Sequence, residues 1–219
     1  MAYPATIWTF DETKIINLLN EMRTTNVPEF LDKYKKEIKE TIEDWEIEDF
    51  QEEIQFFKDN ELQEGDAFIE KLIRLSGGKE IDLSEFSYFQ YAAGFYDYLK
   101  AEFEKNSIGS STAKEGFKLL TNFLRNPPSE MFGIQVSEEN ILGYANENMV
   151  QKEGKAAIKM LSDIQITAEN KLIFDNRGWH DSPLIDSYII EFYKEGRDKL
   201  VNALQHAIKN KMAIAISIL

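Results

Sequence analysis

The sequence contains no cysteine and only two histidines, His180 and His206. Without thiols the chain can form neither a disulfide framework nor a thiolate zinc site, and it has no cysteine nucleophile. Two histidines are too few for the usual histidine-rich metal site, and the carboxylate spacing of a calcium loop is also absent. We therefore predict no metal site and no cofactor.

The sequence also lacks the short motifs that mark common enzyme classes and targeting segments. It contains no Gly-x-Ser-x-Gly, no Walker A loop and no Gly-x-Gly-x-x-Gly. Its first residues have neither the positive charge nor the apolar run of a signal peptide. The longest apolar run, Met212–Leu219, is too short to span a membrane. The sequence predicts a cytoplasmic protein with no membrane partner, and it favours binding over catalysis without deciding whether the protein is an enzyme.

Positive charge is scarce, and negative charge is concentrated in one segment. The chain has 25 Lys and Arg against 39 Asp and Glu, a net charge of −14. Direct binding of nucleic acid or anionic lipid needs a basic patch, and the first two-thirds of the chain show none. Between Glu40 and Asp66 there are twelve acids and a single base, Lys58. Such density destabilises the compact state by self-repulsion, and a basic partner would explain why it is kept. A solvated helix face that keeps the protein soluble explains it equally well.

Apolar residues in the first part of the chain recur at helical spacing. Asp11 is predicted to cap a first helix, and Pro28 to lie in the first turn of a second. The second helix would face the core with one stripe, which consists of Leu31, Tyr34, Ile38, Ile42 and Trp45. The stripe that follows is out of phase with it and consists of Ile47, Phe50, Ile54 and Phe57. One straight helix cannot bury both stripes, so the sequence predicts a bend or break near Glu46.

The rest of the chain combines helical and strand-like patterns. Gly65 and Asp66 open a short helix that Gly77 and Gly78 end, and Asp82 is predicted to cap an aromatic central helix over 84–104. After the break at Asn126–Ser129, strand-like alternation is found in three segments, which are 132–136, 164–174 and 212–219. Helices are predicted over 137–161, with an interruption near Asn146, and from Ser182 onward.

The predicted fold class is α+β and predominantly α-helical. An N-terminal helical array would be joined to a small β-sheet contributed by the C-terminal third. The proline pair Pro127–Pro128 suggests a division into an acidic helical region, 1–126, and an α+β region, 127–219. One continuous domain is the alternative.

A loop with Trp179, His180 and Asp181 is the strongest candidate for an enzyme site. A histidine beside an aspartate in a loop could act as a general base on a small-molecule substrate. A turn explains the same residues, because Asp181 or Ser182 would cap the helix that follows.

The acidic segment suggests a protein that neutralises a basic protein partner. An inhibitor of the immunity or antitoxin type, which blocks a nucleic-acid-acting protein, would use clustered acids to steer encounter and buried aromatics to hold the complex. A protein that imitates DNA is the related alternative. The predicted partner-binding residues are Glu43, Asp44, Trp45, Glu46, Glu48, Asp49, Glu52, Glu53 and Phe56.

Overall fold

A computed structural model of the chain describes residues 4–63, 65–87, 100, 111–137, 141–164 and 185–217. The strands in chain order are β1 (Pro4–Phe10), β2 (Lys79–Ser87), β3 (Glu130–Met131), β4 (Ile134–Gln135), β5 (Ile141–Ala145) and β6 (Ala213–Ser217). The helices are α1 (Glu12–Thr24), α2 (Val27–Lys33), α3 (Lys35–Thr41), α4 (Ile47–Asp59), α5 (Asp66–Leu75), α6 (Ser111–Arg125), α7 (Glu147–Asp163) and α8 (Ile185–Asn210). The fold is therefore α+β and predominantly α-helical, which confirms the predicted class.

The main sheet has four antiparallel strands in the order β2-β1-β6-β5. Its two central strands come from opposite ends of the described chain, with Trp8 opposite Ala215 and Phe10 opposite Ala213. The strand-like alternation over 212–219 is confirmed by β6, and all five residues of this strand are buried. The sheet also takes β1 and β2 from the first 87 residues, which the sequence did not predict.

Helices cover both faces of the sheet and form two hydrophobic cores. On one face, Ile7, Ile214 and Ile216 pack with residues of α6, α7 and α8. On the other face, Trp8 and Phe10 pack with residues of α1 to α5 and of the small β3–β4 hairpin. We call α1 to α5 with this hairpin the first helical layer, and α6 to α8 the opposite helical layer. Successive side chains of a strand point to opposite faces, so this division follows from the alternation along β1 and β6.

Residue size on β6 matches its neighbours. The face of β6 that carries Ala213 and Ala215 lies beside the large rings of Trp8 and Phe10 on β1, and Tyr144 on β5 is opposite Ala215. Small residues on the central strand leave room for aromatics from both flanking strands, because the interior of a protein is close-packed. The Trp8 indole N–H donates to the Ser217 hydroxyl at 3.0 Å, so its polar atom is also satisfied.

The helix ends predicted for the N-terminal part are confirmed. The Asp11 carboxylate accepts from the backbone N–H groups of Thr13 and Lys14 at the start of α1. Pro28 lies in the first turn of α2. The break near Glu46 is also present, as a 3₁₀ turn over Asp44–Glu46 that leads into α4.

The single stripe predicted for the second helix is wrong in part. The chain bends at Tyr34, so that α2 and α3 are two separate short helices, and Ile38 and Ile42 are buried as predicted. Trp45, predicted as the end of the same core stripe, is 75% exposed. The stripe ends early because α3 ends at Thr41, and the extended backbone of Ile42 and Glu43 changes the direction of the chain before Trp45 is reached.

Two segments that were predicted to be helical contain strands in the structure. The Asp82 cap and the start of the helix at 84 are wrong, because residues Lys79–Ser87 form β2 and pair with β1. The helix predicted from Ser137 is likewise preceded by strand β5, and it begins only after Asn146, whose side chain accepts from the N–H of Met149. In both places pairing within the sheet overrides a local helical pattern.

Several predictions lie outside the described residues or are not tested by the fold. Most of the aromatic segment 88–104, most of the hairpin over 164–174 and the start of the helix at Ser182 fall outside them. Helix α6 ends at Arg125, directly before the proline pair, as expected. The division into 1–126 and 127–219 stays a prediction.

Gly143 tests the contact between α6 and the sheet edge. A Cβ atom at this position would overlap the backbone carbonyl of Phe123 near the end of α6. We expect Gly143→Ala to lower the free energy of unfolding by at least about 2 kcal/mol, because backbone atoms must move to make room. Chemical denaturation measures this change. Asn202→Ala, at an exposed position of α8, is the matched control and should change stability little; equal stability of the two variants would contradict the close contact.

Candidate partner-binding surface

Helix α4 carries five of the twelve acids of the acidic segment and is amphipathic. Its buried residues Phe50, Ile54 and Phe57 recur at steps of four and three, and they pack in the core against α5 and its neighbours. Glu48 and Asp49 lie in the first turn, where a negative charge interacts favourably with the helix dipole. Acids occupy the remaining side of α4 and the 3₁₀ turn before it, and we divide them into two groups.

The inner acids are paired with bases of α5. The Arg74 guanidinium donates two bonds to the Glu46 carboxylate, at 2.9 and 3.1 Å, in the bidentate arrangement that favours arginine. The Lys71 ammonium contacts both carboxylate oxygens of Glu53 at 2.9 Å. These side chains are largely buried, so each charge depends on its partner. Glu46 and Glu53, both in the predicted partner-binding set, therefore form internal ion pairs.

The two inner carboxylates differ in how their pKa values respond to burial. Burial works to raise the pKa of Glu46, but the bonds from Arg74 and from the Glu43 N–H outweigh it and hold that pKa below its usual value. Burial raises the pKa of Glu53 above its usual value, although Lys71 opposes the shift. Desolvation, together with the nearby carboxylates of Asp49 and Glu46, thus outweighs Lys71 and keeps the pKa of Glu53 raised.

Two more charges of the segment also have structural roles. The buried Asp66 accepts from the backbone N–H of Ser137 at 2.8 Å. Lys58, the segment's only base, donates to the carbonyls of Met22 and Thr25 at the end of α1, at 2.7 and 2.5 Å. Its charge thus complements the C-terminal end of that helix.

The outer acids form an exposed surface, which we name the acidic face. Its members are Glu43, Asp44, Glu48, Asp49 and Glu52, all of which are exposed. Residues three and four apart lie on the same side of a helix, so Glu48, Asp49 and Glu52 are neighbours on α4. These five belong to the predicted partner-binding set; Glu43 and Asp44 lie at the 3₁₀ turn before α4, and the other three lie on α4 itself.

Two exposed aromatic side chains flank the acidic face. Trp45 is 75% exposed in the 3₁₀ turn before α4, and Phe56 is 45% exposed in its last turn. Among the described residues only Ile16, at 46%, is a further exposed large hydrophobic side chain. Phe56 follows Glu52 by four positions and Asp49 by seven, so it continues the same side of the helix. Large apolar groups kept in water beside charged groups are typical of interaction sites.

The turn that displays Trp45 is held in place by its neighbours. The Glu46 carboxylate accepts from the Glu43 N–H at 3.0 Å, which closes the turn, and it is fixed on its other side by Arg74. Arg74 also donates to the carbonyl of Thr41 at 3.3 Å, just before the turn. Trp45 is thus attached to an ordered backbone, which lowers the entropy lost when a partner binds it. The sequence did not reveal this role of Arg74, because it lies 28 positions from Glu46.

Other candidate sites receive no support from the described part of the chain. The Trp179–Asp181 loop lies outside it. Within the ranges given above, no three His, Asp or Glu side chains are grouped as a metal site would need. No helix in those ranges combines the length and the apolar character that crossing a bilayer requires.

Arg74→Met tests the ion pair beneath Trp45. The substitution leaves the largely buried Glu46 carboxylate without its main partner, so we expect the free energy of unfolding to fall by up to about 3 kcal/mol. The value is at the low end for buried pairs because the Arg74 side chain is still 21% exposed. The double variant Arg74→Met/Glu46→Gln is the control, because it removes the unpaired charge and keeps an acceptor for the Glu43 N–H; urea denaturation should show that it recovers part of the loss. A double variant less stable than Arg74→Met would contradict this account.

The destabilisation by Arg74→Met should also depend on pH. Because the pair holds the pKa of Glu46 below its usual value, its contribution is complete above the usual carboxyl range. It is lost as the pH falls through the lowered pKa of the folded state. The difference in stability between wild type and Arg74→Met is therefore expected to shrink on acidification, and a difference that grows would rule the ion pair out as its cause.

Comparisons with known proteins identify no relative of this chain. No protein-family model matches it, and no curated protein or solved structure matches it either. What supports a function is therefore the surface itself, where two exposed aromatics, Trp45 and Phe56, accompany five exposed acids.

Proposed function

We propose that the protein binds and neutralises a basic protein partner through the acidic face and its two flanking aromatics. The observation that carries this proposal is the exposure of Trp45 and Phe56 beside the exposed acids of the acidic face. Exposed tryptophan and phenylalanine favour association, so they are not expected on a surface that only keeps the protein soluble. The most suitable partner is a nucleic-acid-acting protein, because its own basic binding surface is complementary in charge. The role is that of an immunity- or antitoxin-type inhibitor.

The acids and the aromatics would contribute to different steps of binding. Clustered charges of one sign raise the rate at which an oppositely charged surface is met, and this effect decreases with ionic strength. Exposed acids at the rim contribute little to the final affinity, because they stay hydrated. Aromatic side chains that become buried in the complex contribute most of the affinity and slow dissociation. The acids would therefore control association, and Trp45 and Phe56 would control dissociation.

The internal ion pairs support this arrangement. Arg74 and Lys71 neutralise Glu46 and Glu53 from below, so the helix that carries the outer acids is anchored despite their mutual repulsion. A surface that is ordered before it binds loses less entropy on binding. This favours a preformed interface over one that folds on its partner.

Charge reversal of the acidic face tests the proposal. The triple variant Glu48→Lys, Asp49→Lys and Glu52→Lys removes the negative potential and should abolish capture of a basic protein from native lysate at low salt. Wild type should release that protein within a salt gradient, and mass spectrometry identifies it. The matched control reverses three exposed acids of α8, in the opposite helical layer, and changes the net charge by the same amount; they are Glu191, Glu195 and Asp198. Equal capture by the two triples, or retention that salt does not change, would defeat the proposal.

Truncation of the aromatics tests retention separately. Trp45→Ala and Phe56→Ala should each weaken binding of the recovered partner at least about tenfold, mainly through faster dissociation. Because both side chains are substantially exposed, thermal stability should change little. Ile16→Ala, at the exposed hydrophobic residue of α1, is the control and should leave binding unchanged. Surface plasmon resonance measures both rates; a change confined to the association rate would contradict the anchoring role.

A further inference from the structure

An open groove of about 860 Å³ adjoins the acidic face at the end of α4. The exposed ring of Phe56 belongs both to the outer side of α4 and to the lining of this groove. Phe57 and Ile134, which are buried in the first helical layer, and the half-buried Leu62 provide further apolar lining. A groove that combines apolar side chains with amide groups, beside an exposed aromatic, can receive a side chain of a partner.

Backbone hydrogen bonds hold the walls of the groove in place. Asn60 ends α4 in the left-handed conformation, with φ at 58°, and the N–H of Glu61 returns to the carbonyl of Phe56 at 2.8 Å. The segment that follows is joined to β4 by the bond from the Gly65 N–H to the Gln135 carbonyl, at 3.0 Å. The groove is therefore formed before any ligand arrives, which reduces the cost of filling it.

The charge of the groove differs from that of the acidic face. Among the residues that the structure describes, its lining contains one base, Arg23, and one acid, Glu61, together with the amides Asn60, Gln63 and Gln135. These charges cancel, and the Arg23 guanidinium lies 4.9 Å from the centre of the Phe57 ring. A lysine or arginine of the partner gains nothing from entering beside Arg23, whereas it gains from the exposed acids of α4, of which Glu52 lies one helical turn before Phe56. The groove therefore favours a neutral, apolar occupant.

We propose that the groove seats an apolar side chain of the same basic partner, such as leucine, while flanking basic residues of that partner contact the acidic face. This inference rests on the proposed function and specifies the partner's chemistry: a basic segment with an apolar residue at its centre. Phe56 joins the two parts of the site. Burial of the apolar side chain supplies affinity that salt does not screen, and the acids supply the part that salt weakens.

Two synthetic peptides of equal charge test this inference directly. One has eleven lysines around a central leucine, and the other has eleven lysines around a central alanine. Wild type is expected to bind both in a salt-dependent manner, and to bind the leucine peptide about tenfold more tightly, because the leucine side chain buries additional apolar surface. Fluorescence anisotropy of labelled peptides measures both affinities.

Variants that fill the groove isolate its contribution. Gln63→Trp places a large side chain in the groove without changing its charge, and it should reduce the leucine preference to less than about twofold while alanine-peptide binding stays as in wild type. Gln135→Trp fills the groove from its other wall and covers the case in which Gln63→Trp fails to fold. Gln205→Trp, at an exposed position of α8 in the opposite helical layer, is the matched control and should keep the full preference.

The outcomes separate this inference from the function on which it rests. Equal binding of the two peptides by wild type, or a preference that persists in both filling variants, overturns the groove assignment and leaves the acidic face as proposed. Peptide binding that is absent at low salt, or unchanged by the Glu48, Asp49 and Glu52 reversal, overturns the proposed function and the groove assignment together. A preference lost only in the filling variants supports both.

Discussion

The antiparallel pairing of β1 with β6 is the interaction on which the rest of the structure depends. These two strands form the centre of the sheet, and the bond between Trp8 and Ser217 joins side chains 209 positions apart. Each helical layer packs on one face of this pair, so neither core is complete until both ends of the chain have met. Contacts of such long range form slowly, because the entropy of closing a long loop is lost before the contacts repay it.

Charge within the first helical layer follows from burial. Acids on the inner side of α4 would be costly without partners, and α5 presents Lys71 and Arg74 to them. Acids on the outer side keep their hydration and their mutual repulsion. The same helix is thus electrostatically stabilised on one side and strained on the other, and a positively charged partner would relieve the strain.

The proposed interface combines order with exposure. Trp45 is exposed but lies in a turn that the Glu46–Arg74 pair fixes, and Phe56 is exposed but lies beside a groove whose walls are joined by backbone bonds. Preformed aromatic anchors lose little entropy on binding, so they suit tight and specific association. Electrostatic attraction alone would bind any basic surface, whereas the apolar groove adds a requirement for shape and composition.

The sequence by itself determined the predominantly helical character, the cap at Asp11, the break before α4 and the buried strand β6, since these depend on local periodicity and on capping residues. It also marked the acidic segment and its aromatics as the candidate surface. Only the tertiary structure decided that 79–87 is a strand, because pairing with β1 outweighs the helix-capping signal at Asp82. Only the tertiary structure, too, separated the inner acids from the outer ones. That distinction depends on which carboxylates the bases of α5 can reach across the layer. The spacing of the acids along α4 does not predict which ones these are.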